Sequence, residues 1–292
     1  MTSQTAFTAP NKPLGGKAYG SIGHLPNSRL GPGDWHIHEG QAKILTERPR
    51  KGDRIIVTEK LDGACMAVAN IDGEIVPLTR AGYRARHGRY EHLQLFEVFV
   101  MQRYAQFEAL LKPGERLAGE WLALAHGTAY DTGHEFFEPF VPFDLFRGKD
   151  RVLRDEFKER VPAAGFLPAA CVHDDDVMPI PVEAALARLG EYGRHGSTEP
   201  VEGIVYRCER EGRVDFLAKW VRPDKEDGKY LANLRGCAER WHWRPSDRPQ
   251  GEGRGRARLS PSLPGRAPAA ASAGRRPGQP AGVCRVLPRG SG

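Results

Sequence analysis

Cysteine is scarce and scattered. The five residues (Cys65, Cys171, Cys208, Cys237 and Cys284) form no CxxC pair. That spacing excludes a zinc-binding pattern and gives no support to a disulfide framework, so a reducing, cytoplasmic setting is the expectation. No apolar run approaches the roughly 20 residues needed to cross a bilayer. Met1 to Asn11 is polar and lacks the apolar stretch of a secretion signal, so no membrane partner is expected. Aromatic residues are missing after Trp243: Arg244 to Gly292 has no Phe, Trp, Tyr or Lys, and sets ten arginines against Asp247 and Glu252. Such a segment buries too little apolar surface to offset chain entropy and is expected to be disordered. Its abrupt onset leaves two readings open, an arginine-rich RNA-binding arm or the product of out-of-frame translation. The tail carries +8 of a net +6, so the preceding 243 residues sum to −2. Any nucleic-acid surface on the folded part must therefore come from local patches.

The rest of the 292-residue chain has a globular composition, 40% hydrophobic and 27% charged. Residues 1–50 are punctuated by Gly and Pro and read as a loop-rich segment packing on the core. Residues 51–243 read as one domain, and 244–292 as the tail. Asp53 to Glu59, Ala64 to Asn70 and Glu74 to Thr79 are strand-like, with Asp72-Gly73 as a hairpin turn. Leu93, Phe96, Val100, Tyr104, Phe107 and Leu111 form one apolar helical stripe, closed by Pro113-Gly114. Arg116 to Leu122 and Phe136 to Phe146 read as strands, and Pro181 to Tyr192 as a helix. Val201 to Cys208 and Arg213 to Val221 read as a hairpin, Asp224 to Trp243 as a helix, and Asp174-Asp175-Asp176 as a loop. Hairpin-linked strands interleaved with helices predict an α+β fold of antiparallel sheets flanked by helices.

Glu59-Lys60-Leu61-Asp62-Gly63 places a lysine at the end of an apolar strand, before an acid and a glycine. A solvated lysine in a tight turn is one reading. The other is a nucleophilic amine, which burial and neighbouring cations would free from its proton. Gly63 would let backbone approach phosphates closely. Further along come Thr79-Arg80-Ala81-Gly82, Gly119-Glu120-Trp121-Leu122, Pro142-Phe143-Asp144-Leu145-Phe146, Val201-Glu202-Gly203-Ile204-Val205-Tyr206-Arg207 and Leu217-Ala218-Lys219-Trp220. This ordered series resembles motifs I, Ia, III, IIIa, IV and V of the covalent nucleotidyltransferases: RNA ligases, DNA ligases and mRNA capping enzymes. The likeness runs from about Tyr19 to Trp243 and is nearest in style to the ATP-dependent RNA ligases.

The resemblance implies a nucleotidyltransferase (ATP-grasp-like) domain and a role for each matching residue. Lys60 would attack the α-phosphate of ATP and carry AMP, with Asp62 organising the site and Glu59 adjoining the nucleotide. Arg80 would lie beside nucleotide and nucleic-acid phosphates, Glu120 on a ribose hydroxyl, and Phe143 against the adenine. Glu202 would hold the divalent metal, Mg²⁺ or Mn²⁺, and Lys219 would contact the α-phosphate. The implied activity is RNA ligation, joining a 5′-phosphate to a 3′-hydroxyl in RNA repair, with the chain acting as a monomer. DNA or RNA/DNA nicks, a capping-type reaction, or an impaired nucleic-acid-binding relative are the alternatives. Two positions depart from the pattern: Cys65 stands where many RNA ligases have asparagine, and Leu217 where motif V often has a first lysine. Arg80, Arg84, Arg86, His87 and Arg89, with Tyr83 and Tyr90 interleaved, read either as an RNA-tracking run or as a solvated loop. His126 and His134 follow motif III without a defined role.

Overall fold

A computed structural model describes residues 11–176, 178–232, 236 and 238–245. The readings for the tail beyond Pro245 lie outside the described residues. In chain order the elements are β1 (Gly23–His24), α1 (Glu39–Thr46), β2 (Asp53–Lys60), β3 (Ala64–Ile71), β4 (Glu74–Thr79), α2 (Glu91–Met101) and α3 (Tyr104–Leu110). Then follow β5 (Glu115–Trp121), β6 (Phe140–Arg147), β7 (Asp150–Arg151), α4 (Arg154–Ala163), β8 (Cys171–Asp175), α5 (Val182–Leu189), β9 (Gly203–Arg210) and β10 (Arg213–Val221).

The strands form two five-stranded sheets, ordered β1-β10-β9-β2-β8 and β4-β3-β5-β6-β7. All pairings are antiparallel except β1 with β10. The fold is α+β, as the hairpin pattern predicts. Strand alternation decides what each face does. In β2, Ile55 and Val57 pack outward with Ile204, Tyr206, Leu45 and Leu189. Ile56, Thr58 and Lys60 line the cleft between the sheets. On the second sheet, Met66, Val68, Leu117 and Trp121 pack against Phe96, Phe99 and Phe107 of α2 and α3. Burying each of these large apolar side chains contributes roughly 1.5–3 kcal/mol. Trp121 is fully buried, and its indole N–H donates to the His92 carbonyl at 2.7 Å, so the polar edge is satisfied.

Several local expectations are corrected. The apolar stripe after Leu93 is two helices. The chain leaves helical geometry at Arg103 (φ −122°, ψ 22°), whose guanidinium lies 4.0 Å from the Phe99 ring centroid. Asp224 to Tyr230 runs as turns rather than helix, with Gly228 at φ 64° and the Lys225 side chain drawn into the protein. Residues 233–235 and 237 lie outside the described residues. Further on, Trp241 bridges Leu124. Asp174 and Asp175 belong to β8, where Asp174 accepts from Arg54 of the neighbouring strand at 2.7 Å. Helices α1 and α4 were not foreseen.

Candidate active site

Lys60 ends β2 in the first sheet, and Ala64 opens β3 in the second. Asp62-Gly63 is therefore the crossing between sheets. A side chain at Gly63 would place its Cβ 2.5 Å from the Trp121 carbonyl oxygen and 2.9 Å from Leu122, so only glycine fits. That closeness brings the Gly63 N–H to Glu120 Oε1 at 3.0 Å. Glu120 thereby ties motif I to β5. On the other side, Lys60 pairs in register with Gly203, next to Glu202. The Lys60 ammonium donates to Glu202 Oε2 at 2.6 Å.

Lys60, Asp62, Arg80, Glu120, Phe143, Glu202 and Lys219 thus line one cavity of about 270 Å³. Residues distant in sequence meet there because β2, β9 and β10 are neighbours in one sheet and β3, β5 and β6 in the other. Phe143 sets its ring edge-to-face on Tyr19, 5.1 Å between centroids. Arg80 is exposed and donates to Ser21 Oγ at 3.0 Å. Cys65 and Leu217, the two departures, also line the cavity. Burial pushes the Cys65 thiol well up, with Glu120 adding to the effect, so it stays protonated.

The field at Lys60 is the reverse of the sequence expectation. Burial acts to lower its pKa, but Glu202, Glu120 and Asp62 outweigh burial and hold it above the ordinary lysine value. The neighbours of Lys60 are carboxylates, so its amine is an ammonium. Lys219 is the depressed lysine, lowered by burial and then by Lys60. Burial raises the Glu120 carboxyl to about 7, with Lys60 opposing and Glu202 and Asp62 adding. Burial likewise raises Glu202, against the pull of Lys60.

Glu59 is placed apart from this set. Alternation turns its carboxylate away from the face of Lys60, and it accepts the Arg194 N–H at 3.0 Å. Burial pushes its pKa up to about 7. It borders the cleft by position while its side chain serves the Gly193–Arg194 loop. The basic run after Arg80 is partly neutralised, since Arg84 pairs with Glu74 at 2.7 Å and Arg86 with Glu97 at 3.3 Å. His126 lies near Gly63, Asp62 and Lys225. His134 stacks obliquely against Phe136, outside the cavity lining.

Other residues at the site carried no sequence signal. Lys225, with a fully buried side chain, pairs with Asp62, whose Oδ2 also accepts the Gly127 N–H at 2.9 Å. Lys219 reaches Asp34 Oδ1 at 3.5 Å, and Asp34 Oδ2 lies 3.0 Å from His24 Nε2. Buried Arg207 donates to Asp144 at 2.6 Å and to Glu209 at 2.7 Å. Arg207 sits inside the quoted motif IV stretch, yet only the sheet register shows it facing the cleft.

The donor set fits a hard divalent cation. Two half-buried carboxylates, Glu202 and Glu120, flank Lys60, while no cluster of three or more His, Cys, Asp or Glu ligands occurs among the described residues. Mg²⁺ and similar ions bind in this way, with few protein carboxylates and the remaining positions left to water and phosphate oxygens.

No curated protein matches the chain. Among solved structures, a mutant Naegleria gruberi RNA ligase with AMP and Mn matches at 18% identity and TM-score 0.40, over 59% of this chain and 50% of that one. The same organism's RNA ligase with PPi matches at 18% identity and TM-score 0.44, over 68% of this chain and 59% of that one. The chain spans about half the length of the first of these. The RNA ligase family model matches residues 53–221, which is more than half of the 292 residues and contains every cavity-lining residue discussed above except Tyr19. On that match the chain belongs to the RNA ligase family.

Proposed function

We propose that this protein is an ATP-dependent RNA ligase that works through a covalent lysyl-AMP on Lys60. The observation that carries the proposal is the Lys60 ammonium, enclosed in the cleft and 2.6 Å from Glu202, with Glu120 and Lys219 converging on the same cavity. In the first step a bond forms between Lys60 Nζ and the α-phosphorus of ATP, and the bond to the pyrophosphate oxygen breaks. Pyrophosphate leaves with that electron pair. The amine must first give up a proton, and Glu202 is the carboxylate in hydrogen-bond reach to take it. AMP then passes to the 5′-phosphate of an RNA, and a 3′-hydroxyl displaces it to seal the strand.

Phosphoryl transfer of this kind depends on positioning and on stabilising charge. Lys219 supplies a cation close to Lys60 for the α-phosphate, and Arg80 a second at the rim. A divalent ion, when held by Glu202 and Glu120, supplies positive charge for the phosphate oxygens. Mg²⁺ or Mn²⁺, action as a monomer, and a cytoplasmic location are part of this reading.

Intact-mass measurement after incubation with ATP and Mg²⁺ or Mn²⁺ tests it. Wild type should gain one AMP, while Lys60→Ala and a chelated sample should gain none. Incubation with GTP in place of ATP should leave the mass unchanged. An adduct that survives in Lys60→Ala, or labelling by GTP alone, would overturn the assignment. Joining of a 5′-phosphorylated RNA to an RNA 3′-hydroxyl, against the same strands in DNA, tests the substrate.

A further inference from the structure

The far end of the cleft holds a charge that the reaction at Lys60 does not use. Arg154, the first residue of α4, lines the cavity and is only 6% exposed. Its Nε is buried without a hydrogen-bond partner, and no carboxylate among the described residues pairs with its guanidinium. The groups around it are committed elsewhere. Glu209 accepts the Arg154 backbone N–H and the Arg207 Nε–H, Asp144 accepts from Arg207 and Arg151, and exposed Asp155 is held by Arg54. Beside it lies the Phe157 ring, 5.4 Å from the guanidinium to the ring centroid. A buried guanidinium N–H without an acceptor costs more than one that donates. In a cleft built to take a ligand, the missing acceptor arrives with the ligand.

Position says which part of a nucleotide that is. Arg207 pairs in register with Ile56, and Ile56 lies four residues from Lys60, roughly 13 Å by strand rise. Arg154 stands beside Glu209, one step further along β9 on the same face, so it closes the end opposite Lys60. A triphosphate is unsuited to that end, because in-line attack by Lys60 sends the pyrophosphate out opposite its amine and leaves the nucleoside to take the remaining direction along the cleft. With the α-phosphate at Lys60, the group that extends to Arg154 is the base.

We propose that Arg154 is a specificity-determining residue that donates a hydrogen bond to a ring nitrogen of the purine of the nucleotide donor. A guanidinium has donors only, so it meets a lone pair (N1, N3 or N7) and not the exocyclic amine. This rests on the ligase reading above and refines it.

Replacement of each ring nitrogen by C–H tests the bond directly. Covalent AMP transfer to wild type is measured against concentration for ATP and for its 1-deaza, 3-deaza and 7-deaza analogues. One analogue should need about 10- to 100-fold more nucleotide for half-saturation, the loss expected for a charged hydrogen bond. Arg154→Met should show a similar loss with ATP and no further loss with that analogue. Arg154→Lys, which keeps the charge, serves if the methionine variant does not fold. The proposal is overturned if all three analogues match ATP in wild type, or if the variant keeps the wild-type discrimination. If wild type forms no adduct with ATP itself, the ligase reading fails and takes this one with it.

Discussion

Lys225→Met should be the most informative single change outside the motifs. The wild-type ammonium is fully buried and pairs with Asp62, which is 12% exposed. Removing the lysine leaves the carboxylate with the Gly127 N–H as its remaining side-chain partner. Breaking a buried pair on one side costs about 3–5 kcal/mol. Asp62 keeps slight contact with solvent and one hydrogen bond, so the lower figure applies, about 3 kcal/mol. That is roughly a hundredfold in the unfolding equilibrium. Asp62→Asn strands the other charge, at a site with no solvent contact, and should cost at least as much. Asp62→Asn/Lys225→Met removes both charges and should recover about 2 kcal/mol of the summed single losses. Urea unfolding followed by tryptophan fluorescence reads all four proteins, since Trp121 and Trp243 both pack in the second sheet's core. A loss below about 1 kcal/mol for Lys225→Met, or strict additivity in the double variant, would refute the buried-pair reasoning.

Glu59→Gln should change the pH dependence of stability. The native carboxyl titrates at about 7, above its unfolded value, so the native state binds the extra proton and wild-type stability falls as pH rises from about 4.5 to 7. The variant should gain on wild type by up to about 3 kcal/mol at pH 8, with the gap closing toward pH 4.5; an unchanged gap in denaturation midpoints would contradict this. Gly63→Ala should push motif I off Trp121 and break the bond to Glu120, slowing AMP transfer about 10- to 100-fold with the far-ultraviolet spectrum unchanged. Glu202→Gln should release the hold on the Lys60 proton. At pH 9, with no nucleotide added, acetylation of Lys60 relative to exposed Lys51 should rise about tenfold for each unit by which its pKa falls, and equal labelling of variant and wild type would count against the pairing.

How far the sequence could be read depended on where the controlling contact lay. β4 and β10 have the bounds expected from their residues, and β2 and β3 differ by one, because strand alternation and the Asp72-Gly73 turn are local signals. The convergence of Lys60, Glu120, Glu202 and Lys219 was legible as an ordered series of short motifs. The sign of the field around Lys60 was not, since its three carboxylates arrive from different segments and only their placement shows that they outnumber Lys219. The orientation of Glu59 follows from period-two alternation once Lys60 is placed in the cleft, and that step was not taken. Helix α4 reads Arg-Asp-Glu-Phe-Lys-Glu-Arg-Val-Pro-Ala, with only Phe157 and Val161 deeply buried among its apolar residues, too thin a stripe to announce a helix. β8 is an edge strand whose Asp174 is held by Arg54 and Lys158 across the surface, so its composition reads as a loop. The turns from Asp224 to Tyr230 follow the Lys225–Asp62 pair, a contact across 163 residues of sequence.

The charge arrangement around Lys60 connects the fold to the requirements of the proposed reaction. Glu120 is fixed to Gly63 and Glu202 to Lys60, so neither carboxylate can turn away from the cavity without losing a hydrogen bond. A nucleoside triphosphate approaching Lys60 meets both, and at close range like charges in a buried site repel strongly. Two features of this chain offset that repulsion. Burial lifts Glu120 to about 7 and raises Glu202, so part of the negative charge is titratable near neutral pH. Lys219 stays close to Lys60, held by Asp34, which His24 braces in turn. The same carboxylates that keep Lys60 protonated therefore make the cleft a poor host for a bare polyanion and a good one for a polyanion accompanied by a divalent cation. On the proposed ligase reading, one pair of glutamates governs both the metal requirement and the protonation of Lys60, so substitutions at Glu120 or Glu202 should alter both together, whereas Lys219 substitutions should weaken nucleotide binding without shifting the metal requirement.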